Sequence, residues 1–150
     1  MIAESRGRER RFVDTNLFVY AHDESAGHKR ETARGLIEGL WESRAGCASV
    51  QVLQELFVKL TRKVPKPLPA RDVASLVEDL SVWTVHSSGP REVLSAIELH
   101  ERAGVSFWDA MILTSARSLG CQILYSEDLN AGQSYDGVRV VNPFETEPAV

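Results

Sequence analysis

No stretch of this 150-residue chain approaches the roughly 18 consecutive apolar residues of a transmembrane helix, which leaves no candidate span. The basic opening MIAESRGRERR is not followed by the apolar core of about 7 to 15 residues that a secretory signal carries, so a cytoplasmic location away from the membrane is expected. Cysteine is scarce: Cys47 and Cys121 have neither metal-type spacing nor the look of a disulfide framework, and read as small reduced core residues. The four histidines, His22, His28, His86 and His100, are scattered without ligand spacing, which disfavours zinc and copper chemistry. Lysine stops at Lys66, and neither an internal repeat nor a low-complexity tract occurs. The net charge of −4 argues against a protein that coats nucleic acid indiscriminately.

What is present suits one compact domain. The length is that of a single core, and the 43% hydrophobic and 25% charged fractions are ordinary for a globular chain. Short apolar runs predict strands at residues 11–13, 47–49, 82–85, 121–125 and 138–141. Helical patterns fall between them, over 16–23, 28–44, 50–63 and 70–80, then from near Pro90 to Gly104, and over 106–119. Val50, Leu53, Phe57 and Leu60 are expected to form the apolar face of segment 50–63, which the three prolines of VPKPLP bring to a stop. The segment 106–119 is apolar nearly all round and belongs in the interior. SEDLNAGQSYDG reads as a polar loop. The alternation of strands and helices predicts an α/β fold with a mainly parallel sheet, in which sites form beyond the carboxyl ends of the strands.

Two acidic positions fall at such ends: Asp14 after RFV, and the acids of SED after CQILY. Converging carboxylates raise one another's pKa and are costly without a cation, and oxygen ligands suit magnesium or manganese. Each acid also has a purely structural reading. Asp14 can cap a helix, and SFWD fits a capping box that would employ Asp109. Glu55 lies off the expected apolar face, with Lys59 four residues on as a surface ion-pair partner. Asp128 sits in a turn-rich segment where Asx roles are common. Local pattern leaves these alternatives open.

Taken in order, FVDTN, SVQVLQELF, FWDAMIL and ILYSEDLNAGQSYDGVRVVNPF resemble the PIN-domain family, in particular the VapC-like ribonuclease toxins of bacterial toxin-antitoxin pairs. The resemblance covers residues 11–144 and leaves an N-terminal extension, 1–10, and a C-terminal tail, 145–150. It implies a three-layer PIN-like fold, a central mainly parallel sheet of about five strands flanked by helices. It also implies a groove of acids that binds Mg2+ or Mn2+ and hydrolyses RNA. By matching position, Asp14 and Asp109 are the principal metal ligands, with Glu55 and Asp128 completing the catalytic and metal set. Asp128 is preferred over its neighbour Glu127 because it falls at the acid of the family's Ser/Thr-x-Asp pattern. Asn16 and Ser126 are expected to support the acids without adding charge. Setting the four acids aside leaves 17 acidic against 17 basic residues, so the net negative charge equals that of the implied site.

Lys59, Arg62, Lys63, Lys66 and Arg71 lie within thirteen residues that contain no acid. The first four are candidate contacts to RNA phosphates, set against the plainer reading of a solvated helix end. The resemblance further implies a homodimer and a VapB-like antitoxin whose tail covers an apolar groove and presents an arginine to the acids. Phe18, Tyr20 and Trp41 are candidates for those contacts or for the core. Two rivals are a receiver-like phospho-acceptor and a catalytically silent PIN module that binds RNA or a partner. The first needs an acid pair at the first strand and a late lysine, and this chain has neither.

Overall fold

The computed structural model describes residues 9–145. The expected extension and tail therefore fall largely outside the described residues, with only Glu9, Arg10 and Glu145 inside them. The strands are β1 (Arg11–Val13), β2 (Gly46–Ser49), β3 (Thr84–His86), β4 (Ile123–Tyr125), β5 (Ser134–Tyr135) and β6 (Val138–Val141). The helices are α1 (Thr15–Ala21), α2 (His28–Ser43), α3 (Val50–Arg62), α4 (Ala70–Leu80), α5 (Pro90–Ala103) and α6 (Phe107–Ser118), with one 3₁₀ turn at Glu24–Ala26.

One six-stranded sheet has the order β3-β2-β1-β4-β6-β5, parallel throughout except for the antiparallel pair β5 and β6. Its central strands are short and apolar because helices cover both faces: Phe12, Val13, Ala48 and Leu124 are fully buried. From β1 the chain winds outward to β2 and β3, then returns across the sheet to β4 and β6. The winding reverses between β1 and β4, and in open α/β sheets sites form beyond the carboxyl ends of the strands at such a switch point.

The expected α/β architecture is present, with three local corrections. First, the buried stripe of α3 is Val52, Leu56 and Leu60, whereas Val50 and Phe57 are exposed and Leu53 is half-buried. The helix is turned from the expected face because its neighbours include α1 and α4, and packing chose among several apolar stripes. Second, the third strand runs from Thr84 to His86, while Val82 at its expected start is 77% exposed. Third, the expected polar loop contains β5. Asp136 and Gly137 both have positive φ, 49° and 88°, as a two-residue hairpin turn requires.

Helix α6 is interior as expected, with an unbroken buried run from Ala110 to Ala116, and α5 packs along it. Gly46 on β2 is dictated by a close approach: a Cβ there would lie 2.6 Å from the Trp83 ring. Among the described residues no helix is long and apolar enough to cross a membrane.

Candidate active site

Asp14 follows β1 directly and caps α1, its Oδ1 accepting from the Thr15 amide at 2.7 Å. The structural and the chemical readings of this residue are therefore not exclusive, because the second oxygen remains for other work. Oδ2 accepts from Ser126 Oγ at 2.9 Å, and Ser126, fully buried at the end of β4, also accepts from the Asp128 amide at 3.1 Å. One hydroxyl thus ties the ends of β1 and β4 together. Only 6% exposed, Asp14 has its pKa pushed up to about 6. Burial is the main cause, the nearby charges of Asp128 and Glu55 add to it, and the bonds from Ser126 and Thr15 oppose it.

Glu55 comes to the site from α3. The turn of the helix places it at the border of the buried stripe, where Thr15 Oγ1 donates to Oε1 at 2.7 Å and Gln51 Nε2 to Oε2 at 3.3 Å. The expected surface pair with Lys59 does not form. Lys59 instead donates to Asn16 Oδ1 at 2.8 Å, and Asn16 Nδ2 donates to Asp128 Oδ2 at 3.0 Å. Sequence reasoning missed Thr15 and Gln51 as partners of Glu55. The Gln51–Glu55 spacing of one helical turn was a usable signal for the latter.

Asp109 lies in the first turn of α6. Ser106 alone makes the cap there, its Oγ accepting from the Asp109 amide at 3.1 Å. Among the described residues the Asp109 carboxylate accepts no hydrogen bond, so the cap makes no demand on it. Its charge reaches Asp128, whose pKa is raised first by partial desolvation and then by Asp109, against the opposing pull of Lys59. Asp128 is exposed, Glu55 and Asp109 are half-buried, and Asp14 is buried.

Glu127 faces other partners. Tyr20 donates its hydroxyl to Glu127, and Lys29 forms an ion pair with it at 2.8 Å while lying over the rings of Tyr20 and Phe144. The adjacent acids after β4 are thus divided: Glu127 joins a clamp on α1 and α2, and Asp128 accepts from Asn16.

Arg62, Lys63 and Lys66 are exposed at the end of α3 and beyond, and Lys66 meets Glu24 at 3.7 Å in a weak surface pair. Phe18 is buried against Trp83, Tyr20 packs on Phe144, and Trp41 remains 39% exposed. A groove of about 570 Å³ lies beside Phe18, Ile37, Trp41, Leu76, Leu80 and Val82.

Among the described residues, no three acidic, histidine or cysteine side chains already converge into a coordination cluster. The donor chemistry nevertheless fits a hard divalent cation: it is all oxygen, and burial first, then repulsion from neighbouring acids, raises the pKa of Asp14 and Asp128. His86 bonds to Ser115 instead of entering this set.

The family model described as PIN domain matches residues 11–133. Among solved structures, the Mycobacterium tuberculosis toxin VapC20, described as cleaving the sarcin-ricin loop, is similar at 25% identity and a TM-score of 0.62, covering 79% of this chain and 89% of that one. A toxin-antitoxin complex from Klebsiella pneumoniae is similar at 17% identity and a TM-score of 0.65, covering 90% and 98%. DNA-bound VapBC from Salmonella typhimurium is similar at 20% identity and a TM-score of 0.62, covering 88% and 96%. The last two carry the fold alone. A comparison with curated protein sequences finds no significant match.

Proposed function

The chain belongs to the PIN-domain family, and on that premise we propose that it is a divalent-metal-dependent endoribonuclease, the toxin of a toxin-antitoxin pair. The observation that carries the reading is the meeting of Asp14, Glu55 and Asp128 through Thr15, Ser126 and Asn16, within electrostatic reach of Asp109. The domain is taken as residues 11–144, acting in the cytoplasm.

Asp14 and Asp109 would hold Mg2+ or Mn2+, with Glu55 and Asp128 as further ligands or as acceptors that orient water. When bound, the ion supplies activation of water and stabilisation of the departing oxygen. Hydrolysis forms one bond from a water oxygen to phosphorus and breaks one ester bond, and the water's proton passes to the departing oxygen through solvent or carboxylate. The chain's part is to hold its acceptors still. Thr15 and Gln51 fix both oxygens of Glu55, Ser126 fixes Asp14, and Asn16 fixes Asp128. Asp128, as the exposed acid, is the one best supplied with solvent. The pairing of Glu127 with Lys29 and Tyr20 supports leaving it out of the set. Arg62, Lys63 and Lys66 extend the RNA path as phosphate contacts.

The apolar groove beside Trp41 and Leu76 suits the antitoxin tail. A homodimer is favoured by the exposed apolar residues Leu94, Ile97 and Trp108.

The test is cleavage of a mixed RNA pool with Mg2+ or Mn2+, with and without chelator, by wild type, D14N and D109N. Cleavage that stops with chelator and in both variants is expected. Metal-independent cleavage or fully active variants would sink the mechanism, and metal binding without cleavage of any RNA would favour the silent binding module.

A further inference from the structure

Lys59 stands apart from the rest of its cationic stretch. Arg62, Lys63 and Lys66 are exposed, whereas Lys59 is half-buried with its ammonium on Asn16. Asn16 passes the contact on to Asp128, so a cation is joined through a neutral amide to one of the four acids. Among the described residues this ammonium forms no ion pair. An ammonium has three N–H donors, and Asn16 occupies one of them.

The two halves of the site therefore differ. The charges that chiefly act on Asp14 are those of Asp128 and Glu55, both negative. Asp128 has the positive charge of Lys59 beside it as well as the negative charge of Asp109. Lys59 sits in the Asp128 half, whereas among the described residues Asp14 forms no ion pair. The position on α3 explains how: Lys59 lies one turn beyond Glu55, next to the buried Leu60, so the helix that presents the acid also presents the ammonium.

We propose that Lys59 is the second cation of this site: with a single divalent ion on the Asp14 and Asp109 side, its ammonium binds a non-bridging oxygen of the scissile phosphate. In sites with two metals, about 3.5–4 Å apart, the second ion shares the charge of the reacting phosphate, and here a side chain does so. Lys59 donates hydrogen bonds and transfers no proton, so the balance of the hydrolysis is unchanged. The inference rests on the ribonuclease reading above but is separable from it by metal stoichiometry.

The experiment titrates Mn2+ into the metal-stripped full chain by calorimetry without RNA, comparing wild type, K59M and K59R. One ion per wild-type chain, two per K59M chain and one per K59R chain are expected, because loss of the ammonium leaves the Asp128 half uncompensated. Two ions in the wild type, or one in K59M, overturns the proposal. On a cleavable RNA, at Mn2+ concentrations that fill only the first site, K59M is expected to lose about 100-fold in kcat with KM within about threefold, and K59R to recover about tenfold. A loss carried by KM alone would make Lys59 an ordinary phosphate contact and overturns the proposal too. K59Q replaces K59M if thermal unfolding shows that K59M does not fold. Two ions together with chelator-sensitive cleavage would remove this inference and leave the ribonuclease reading, whereas neither binding nor cleavage would remove both.

Discussion

Helix α3 carries two stripes that alternate along one short segment and obey different physics. Val52, Leu56 and Leu60 are fully buried and hold the helix to the rest of the core. Glu55 and Lys59, one residue away from that stripe at each turn, are only half-buried and bond to residues that follow β1. The first stripe stabilises whatever the protein does. The second orders polar groups whose charges repel or remain partly unmatched, a cost that folding alone does not reward.

The contrast is sharpest where chemistry and stability should separate. D109N is expected to lower RNA cleavage by at least about 1,000-fold, about 4 kcal/mol of barrier, while the unfolding midpoint stays within a few degrees, as activity assays and thermal melts would show. Equal losses of fold and activity would erase the distinction. L56A probes the other stripe: urea titration should show a loss of about 2–5 kcal/mol, with activity per folded molecule retained.

Asp14 provides a smaller effect of opposite sign. Its pKa of about 6 in the folded chain exceeds the ordinary carboxylate value of 3.8, so the folded state holds the proton more tightly. The resulting stability is fully present below the unfolded pKa and is lost as pH rises through about 6. In metal-free protein, D14N should remove this slope and be more stable than wild type by roughly 1–3 kcal/mol at pH 7.5, with the difference closing towards pH 4. Denaturant titrations across that range check it, and a D14N protein less stable at neutral pH would contradict it. The smallest effect is expected outside both stripes: R62A should weaken RNA binding a few-fold and lower its salt slope by about one.

Much of the fold was legible because punctuation and periodicity agreed. Pro90 opens α5, Gly104 and Gly120 end α5 and α6 with positive φ, and the apolar girth of α6 matched its burial. The rotation of α3 was not legible, since Leu53 and Phe57 make as good a local stripe as Val52 and Leu56. The β5–β6 hairpin left one clear sign, Asp136-Gly137, but a two-residue strand has almost no pattern of its own. For the site, motif order singled out Asp14, Glu55, Asp109 and Asp128, while the partners that orient them could not be read.

The sequence by itself determined most of the elements, because capping, breaking and alternation act between residues a few positions apart, and the order of its motifs, by resemblance, singled out the four acids. Only the tertiary structure decided that Ser126 would bond to Asp14, that Thr15 would hold Glu55, that Glu127 would turn to Lys29, and that Lys59 would leave its cationic stretch for Asn16. These contacts span tens of residues or more along the chain, and they depend on which helix face the core buried and where the sheet reverses its winding.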